Sequence, residues 1–294
     1  MITLDEYIEL IKKEYPNDFE SIIEGLKEKR YESFRINSLK CRKEEIIKFL
    51  NDNNVVYESP SYYNDSYIIK SDIKLYDTNI FKEGKIYLQS LSSQIPPLCL
   101  DLDDSYDILD MCAAPGGKTS LIAALTNNEK SIMAVESNKI RAEKLKYNLN
   151  LLNAKANVLV TDSTKLDSFF RFDTILLDAP CSGSGTLNLL NEKDLKNFSL
   201  LLVKNSANTQ KKLLKKAIEI LKPGHTMIYS TCSILKEENE EVLKTVLNKN
   251  VVLEKINLDI SKDNLLPSLY DEVLTIKPNK YYEGFFIAKI KKLR

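Results

Sequence analysis

The stretch YDILDMCAAPGGKTSLIAALT, from Tyr106 to Thr126, joins two apolar runs through a short glycine turn. The first run, YDILDMC, is typical of a buried strand, and GKTSLIAALT is typical of a helix. Parallel α/β sheets are built from such strand–turn–helix units, and they bind ligands beyond the carboxyl ends of their strands. The stretch therefore predicts a ligand site at the turn.

The rest of the chain after this turn continues the alternation. Strand-like runs are SIMAVES, ANVLVTD, FDTILLDAP, HTMIYSTCS and GFFIAKI, and helix-like runs are NKIRAEKLKYNLNLL, TQKKLLKKAIEIL and KEENEEVLKTVL. Asn138 is placed to cap the first of these helices, and Pro223-Gly224 to end the second. The alternation predicts an α/β fold with a Rossmann-like, doubly wound, mostly parallel sheet.

The first part of the chain has a different pattern. Helical spacing in TLDEYIELIKK and RKEEIIKFLND is followed by the strand-like, tyrosine-rich pieces VVYESPSYY and SYIIK. We expect a small α+β module at residues 1–85 and the α/β domain at residues 86–294. Tyrosines beside lysines are suited to stacking on bases, but half-buried strand tyrosines give the same pattern.

Composition narrows the class of protein. The chain has 294 residues, of which 43% are hydrophobic, and its formal net charge is zero. Its apolar runs are shorter than a membrane span, and no apolar stretch follows a charged N-terminus, so we expect a cytoplasmic protein. Zero net charge does not exclude RNA binding, which requires only a local basic face. Lysines cluster in KKLLKK, although a solvated helix face has the same composition.

Cysteine and histidine usage argues against two kinds of site. The cysteines number five, none are spaced C-x-x-C, and His225 is the single histidine. This pattern predicts no disulfide framework and no metal site. A serine–histidine–acid triad would have to use His225, which begins a strand-like run, so we do not expect such a triad.

The glycine turn differs from a phosphate-binding loop, although it ends in Gly-Lys-Thr. The first glycine of a P-loop would fall at Cys112, and Pro115 has no N–H to donate. The next strands end in acids, at Glu136, Asp162 and Asp178. Acids at these ends can hold ribose hydroxyls and an adenine amino group. A nucleoside ligand without a polyphosphate is favoured over ATP, and S-adenosylmethionine fits this description.

Two cysteines also lie at strand ends. Cys181 stands in DAPCSGSG, and Cys232 stands in YSTCS. Free cysteines are most often small buried apolar residues. A reactive cysteine needs a thiolate, and therefore a lowered pKa or a neighbouring base.

With these residues the chain resembles the RsmB/Nop/Sun group of S-adenosylmethionine-dependent RNA cytosine-C5 methyltransferases. The resemblance runs from Phe34 to Ile290 and implies a class I methyltransferase fold. It is carried by FRINSLK, YLQSLSSQIPPLCLD, DMCAAPGGKTS, AVESNKIRAEKL, DTILLDAPCSGSGT, YSTCSILKEENEEVL and GFFIAKI.

The resemblance implies roles for the cofactor-binding residues. Glu136 would hold the ribose and Asp162 the adenine, with Arg141 as a secondary contact. Lys118 would meet either the cofactor carboxylate or the RNA. The loop around the methionine end would comprise Cys112, Ala113, Ala114, Pro115, Gly116, Gly117 and Lys118.

The resemblance also implies the catalytic roles. Cys232 would attack C6 of the cytosine, and Cys181 would assist release of the product. Asp178 would lie between cofactor and base and contact both. We expect RNA as the partner, contacted also by the module at residues 1–85, with ribosomal RNA favoured and transfer RNA as the alternative. A non-catalytic RNA- or ribosome-binding protein on the same fold is a further alternative, but it would be expected to lack Cys232 or the glycine turn.

Overall fold

The structure is a computed structural model that describes residues 2–294, apart from the side chain of Glu192. Within this range the first sheet is antiparallel. Its strands are β1 Glu32–Ile36, β2 Tyr57–Glu58, β3 Ser66–Ile69 and β4 Ile86–Leu88. Their spatial order is β2-β3-β1-β4. The strand predicted in VVYESPSYY is limited to Tyr57–Glu58, because Pro60 cannot donate to a strand ladder.

The helices in this part of the chain pack against two different groups of residues. They are α1 Leu4–Glu14, α2 Phe19–Lys27, α3 Lys43–Asp52 and α4 Asn79–Lys82. Helix α3 covers the sheet with Ile46 and Leu50. Helices α1 and α2 instead pack against residues from the second half of the chain, among them Phe198.

Two tyrosine hydroxyls fix the position of the first helix and its end. Tyr7 donates to the carbonyl of Ser184 at 2.7 Å, and Tyr15 donates to the carbonyl of Ile234 at 2.6 Å. Both acceptors lie a few residues beyond a cysteine of interest, Cys181 or Cys232. A division of the chain at residue 85 remains a prediction.

The second sheet carries the predicted alternation. Its strands are β5 Asp107–Asp110, β6 Ser131–Glu136, β7 Asn157–Val160, β8 Phe172–Asp178, β9 Leu221–Thr231, β10 Val251–Glu254, β11 Leu274–Ile276 and β12 Phe285–Lys292. The order is β10-β12-β9-β8-β5-β6-β7, with β11 paired to β12. Strands β9, β8, β5, β6 and β7 are parallel, whereas β12 runs antiparallel to β9. The prediction of a mostly parallel, Rossmann-like sheet is confirmed.

Helices cover both faces of this sheet. The helices in this part of the chain are α5 Leu91–Leu98, α6 Gly117–Leu125, α7 Lys139–Leu151, α8 Glu192–Asn197, α9 Leu200–Ile220 and α10 Glu240–Leu243. Neighbouring strand residues alternate between faces: Ile108 joins the core under α5, α6 and α7, and Leu109 joins the core under α9. Burial on both faces explains why the strands read as apolar runs. None of the described helices has the length and apolar character needed to cross a bilayer.

Two helix predictions need correction. Helix α9 begins at Leu200, before the predicted TQKKLLKKAIEIL, and ends at Ile220, before Pro223. The helix predicted in KEENEEVLKTVL is broken into a 3₁₀ turn, Lys236–Glu238, and the short α10. The break lies at Asn239, whose ψ of −95° is not helical and whose side chain binds the preceding loop.

A candidate active site at the carboxyl ends of the parallel strands

The glycine turn lies where the order of the parallel strands reverses, between β5 and β8, which is the usual ligand site of such sheets. Gly116 has a φ of +105° and precedes α6. That left-handed conformation favours glycine. Arg35 in β1 donates a hydrogen bond to the carbonyl of Gly117 at 3.0 Å, which holds the start of α6 in place.

Two cavities meet at this turn. One, of about 340 Å³, is lined by Glu136, Arg141, Asp162 and Cys181 and is called the Glu136 cavity. The other, of about 400 Å³, is lined by Lys118, Ser93, Glu283 and Phe285 and is called the Lys118 cavity. The wall between them is shared by Cys112, Ala114, Asp178 and Cys232. The site therefore has room for two ligands that meet at Asp178 and Cys232.

Glu136 and Arg141 form one side of the Glu136 cavity. Glu136 is 4% exposed, and its Oε1 accepts from the backbone N–H of Asn138 at 2.9 Å. Its Oε2 lies 3.4 Å from Nη1 of Arg141. Arg141 also donates to the carbonyl of Ala114 at 2.9 Å, so it links the acid to the glycine turn. Asn138 caps α7 as predicted.

Asp162 forms the opposite side of the same cavity. It follows β7 and accepts from the backbone N–H and the hydroxyl of Thr164, at 2.9 and 2.7 Å. These hydrogen bonds lower the pKa of Asp162. The carboxylate is therefore anionic and oriented at the edge of the cavity.

Asp178 and Lys118 form an ion pair at the shared wall. Nζ of Lys118 lies 2.8 Å from Oδ2 of Asp178 and donates to Oγ of Ser93 at 2.7 Å. Oδ1 of Asp178 accepts from Ser230 at 2.8 Å. Burial opposes the charge of Lys118, but the negative charge of Asp178 and its hydrogen bond leave the pKa of Lys118 raised. The pair places a fixed cation beside Cys232.

The two strand-end cysteines lie side by side. Cys181 follows β8 and Cys232 follows β9, and these strands pair in parallel with Asp178 opposite Ser230. A hydrogen bond with Cys232, together with burial, raises the pKa of Cys181 well above its usual value. The two loops are joined directly, because the backbone N–H of Gly185 donates to the carbonyl of Cys232 at 3.1 Å. The site thus presents two neighbouring thiols with different surroundings.

The remaining cysteines have no comparable setting. Cys41 and Cys99 line neither cavity. Burial raises the pKa of Cys41 to about 11 and that of Cys99 to about 12. Burial also raises the pKa of Cys112, whose loop lines both cavities. Within residues 2–294 no group of His, Cys, Asp and Glu side chains has the arrangement of a metal site.

Several residues at the site have no sequence signal of their own. Ser93 and Ser230, which fix Lys118 and Asp178, are ordinary serines in the sequence. Asp110 is fully buried, and burial raises its pKa to about 6. It lies within the stretch from which the site was predicted, but nothing distinguishes it there.

Comparison with known proteins identifies the family. Residues 97–291 match the family model described as 16S rRNA methyltransferase RsmB/F. The chain belongs to the RsmB/F family. The resemblance drawn from the sequence motifs is confirmed.

Individual relatives support the same family. Ribosomal RNA small subunit methyltransferase F of Vibrio parahaemolyticus is 34% identical over 98% of this RsmB/F chain, which spans only 63% of that relative. The tRNA (cytosine(49)-C(5))-methyltransferase of Pyrococcus abyssi is 36% identical, over 89% of this chain and 88% of its own. The solved structure of a methyltransferase homolog from Pyrococcus horikoshii has a TM-score of 0.83 and 32% identity, covering 98% of this chain and 94% of that one.

Proposed function

We propose that the chain is an RNA cytosine-C5 methyltransferase that uses S-adenosylmethionine. The observation that carries the proposal is a pair of adjacent thiols: Cys232 lies in the wall shared by the two cavities, and Cys181 lines the Glu136 cavity beside it. One cavity suits a nucleoside cofactor, and the other suits an extruded base. Two thiols are needed because the base must be captured by one group and released with the help of another.

The Glu136 cavity fits S-adenosylmethionine. The buried carboxylate of Glu136 can accept from two ribose hydroxyls, and the anionic Asp162 can accept from an adenine amino group. The turn with Cys112 and Pro115 lacks the donors that a polyphosphate requires. When bound, S-adenosylmethionine supplies an electrophilic methyl group. Arg141 would affect cofactor binding indirectly, because its hydrogen bond to the carbonyl of Ala114 holds the glycine turn in place.

The Lys118 cavity fits the target base. A cytosine inside a helix is not accessible, so the base must be flipped out or already single-stranded. Cys232 as a thiolate would add to C6, forming an Sγ–C6 bond and making C5 nucleophilic. Asp178 is paired with the Lys118 ammonium group at 2.8 Å and would lie near N3, where negative charge develops as the thiolate adds. After methyl transfer the C5 proton leaves, and the electrons of the C5–H bond expel Cys232. Cys181, or a water it positions, would accept this proton, and Cys232 would leave as a thiolate.

Replacing Glu136 by glutamine should weaken S-adenosylmethionine binding about tenfold to a hundredfold, because hydrogen bonds to a charged acceptor are each worth about 1.5–3 kcal/mol. Titration calorimetry with the purified protein measures this. Glu143→Gln is the matched control, because Glu143 lies on the outer face of α7 with its side chain 72% exposed. An unchanged dissociation constant for Glu136→Gln would contradict the cofactor assignment.

RNA flanking the target base has a candidate path on the predicted module at residues 1–85. A groove of about 440 Å³ is lined by Lys29, Arg30, Lys70 and Lys74, with Tyr31 and Tyr76 among them. Arg30 donates to the carbonyl of Thr186 at 3.0 Å, and Thr186 lines the Lys118 cavity. The groove therefore adjoins the proposed base site. Basic side chains interleaved with aromatic rings are suited to single-stranded RNA.

Reversing two of these charges, in Lys29→Glu with Lys74→Glu, should raise the KM for RNA about tenfold with little change in kcat, because phosphate contacts are lost outside the reacting centre. The salt dependence of binding should also become weaker. Lys155→Glu is the control, because Lys155 precedes β7, an edge strand of the second sheet, and does not line the groove. Equal KM values for all three proteins would exclude the groove as an RNA path.

Small-subunit ribosomal RNA is the proposed substrate, because the family model and the Vibrio relative carry that description. Transfer RNA is the second candidate, favoured by the Pyrococcus abyssi relative, which this chain matches over 88% of its length. The free cysteines fit a reducing compartment, and we propose that the protein acts in the cytoplasm.

The test is methyl transfer from labelled S-adenosylmethionine to ribosomal subunits, total tRNA, DNA and protein, followed by mass spectrometry of the nucleosides. Label recovered as 5-methylcytidine in 16S rRNA supports the first substrate, and label in tRNA supports the second. Label confined to DNA or protein, or no transfer by a folded protein that binds S-adenosylmethionine, would contradict the proposed function.

A further inference from the structure

Glu238 and Asn239 lie at the break in the helix predicted after β9. Both side chains are fully buried, at 0% exposure. Neither residue lines the Glu136 cavity or the Lys118 cavity, so neither is placed to touch a ligand there. Burying a carboxylate and an amide in adjacent positions is costly unless their hydrogen bonds are satisfied. The partners of these two side chains are the loops that carry the two thiols.

Glu238 binds mainly the loop of Cys181, and it also contacts Ser233 in the loop of Cys232. Its Oε1 accepts from the backbone N–H of Ser182 at 2.7 Å, and its Oε2 accepts from the hydroxyl of the same residue at 2.5 Å. Gln210 donates to the carbonyl of Pro180 at 2.9 Å and to Glu238 at 3.3 Å. Both neighbours of Cys181 are therefore held by one buried network. The hydrogen bond with Cys232 and burial chiefly raise the pKa of Cys181, and the charge of Glu238 adds to this.

Asn239 binds the loop of Cys232. Its Oδ1 accepts from the hydroxyl of Thr231 at 2.6 Å, and its Nδ2 donates to the carbonyl of Ser233 at 2.9 Å. The two neighbours of Cys232 are thus held by one amide. Asn239 makes these contacts at the point where its backbone, with φ −115° and ψ −95°, interrupts the helix.

We propose that Glu238 and Asn239 are a pair of positioning residues, in which Glu238 aligns Cys181 for product release and Asn239 aligns Cys232 for attack on the base. The inference rests on the proposed function for the two steps, but the contacts on which it stands are independent of it. Because the two residues are adjacent in the chain, they also fix the separation of the loops. Misplacing a reacting group by about 1 Å can cost about a hundredfold in rate.

The pair predicts opposite defects from neighbouring, nearly isosteric substitutions. Glu238→Gln removes an acceptor and the charge at the Cys181 loop, so release should slow and an RNA–protein adduct should accumulate, about tenfold over wild type. Asn239→Asp replaces the donor to Ser233 by an oxygen, so capture itself should slow about tenfold or more. Glu241→Gln is the control, because Glu241 is exposed in the same segment.

The experiment uses transcripts of 16S rRNA and tRNA, each prepared with cytidine or with 5-fluorocytidine, and labelled S-adenosylmethionine. Fluorine replaces the C5 proton that must be lost, so the adduct on 5-fluorocytidine RNA reports capture and methyl transfer without release. On this RNA, Glu238→Gln should form adduct at the wild-type rate and Asn239→Asp should be slow. On ordinary RNA, only Glu238→Gln should accumulate adduct. The same defect in both variants, or none relative to Glu241→Gln, overturns the inference.

A second measurement needs no RNA. Alkylation by iodoacetamide, followed by peptide mass spectrometry, gives separate rates for the two thiols. Glu238→Gln should change the rate at Cys181 about threefold or more and leave Cys232 within about twofold, with the reverse for Asn239→Asp. Ser182→Ala, which removes a partner of Glu238, should reproduce the effect at Cys181. A wild type that methylates no RNA refutes the proposed function, whereas equal effects on both thiols refute the positioning pair.

Discussion

Replacing Cys232 by alanine should abolish methyl transfer, with a loss of at least about a thousandfold in single-turnover rate. C5 of cytosine is a weak nucleophile until a thiolate adds to C6, and Cys232 lines both cavities beside the Lys118–Asp178 pair. The variant should also form no covalent adduct with RNA. The measurement is transfer of labelled methyl to the RNA that the wild type modifies.

Cys41→Ala is the control for this experiment, because Cys41 is also a free cysteine but lies outside both cavities. Cys41→Ala should transfer methyl at the wild-type rate. Cys232→Ala should keep its affinity for S-adenosylmethionine, which separates lost chemistry from lost folding. If Cys232→Ala still methylates at the wild-type rate, the nucleophile must be Cys181 or the reaction must involve another atom of the base.

Replacing Cys181 by alanine should trap the RNA on the protein. Attack by Cys232 and methyl transfer should proceed, whereas loss of the C5 proton and expulsion of Cys232 should slow. The covalent species should rise about tenfold or more above wild type on a denaturing gel, while turnover falls. Sequencing of the trapped RNA would then identify the modified cytidine.

The double variant Cys181→Ala with Cys232→Ala gives the decisive comparison. It should form no adduct, because the bond that persists in the single variant is made by Cys232. An adduct that survives in the double variant would place the covalent bond on another residue. A single Cys181→Ala variant with normal turnover and no adduct would assign release to a water positioned by other groups.

The sheet and the strand-end residues could be predicted because the signal is local. Alternating strands and helices predict parallel order, and parallel order brings the carboxyl ends to one edge. Glu136, Asp162 and Asp178 therefore lie at a common site, together with Cys181 and Cys232. The glycine turn was predictable for the same reason, since it follows the first of these strands.

The groups that orient this site were not predictable in the same way. KEENEE has the charge pattern of a solvated helix, and nothing in it shows that Glu238 and Asn239 are buried. Ser230 and Ser93 act only through partners distant in the chain. Contacts of this kind leave no periodicity in the sequence, because they depend on how separate loops meet after folding.

The tyrosine contacts of the first helix have a consequence for synthesis of the protein. Tyr7 and Tyr15 are made well before their acceptors, which lie 177 and 219 positions later in the chain. Part of the apolar surface of helices α1 and α2 therefore stays exposed during synthesis, until the segments that contain these acceptors have emerged from the ribosome. Such late docking exposes a nascent chain to aggregation and slows folding. The segment with Tyr7 and Tyr15 thus docks only after the loops that follow Cys181 and Cys232 have been synthesised.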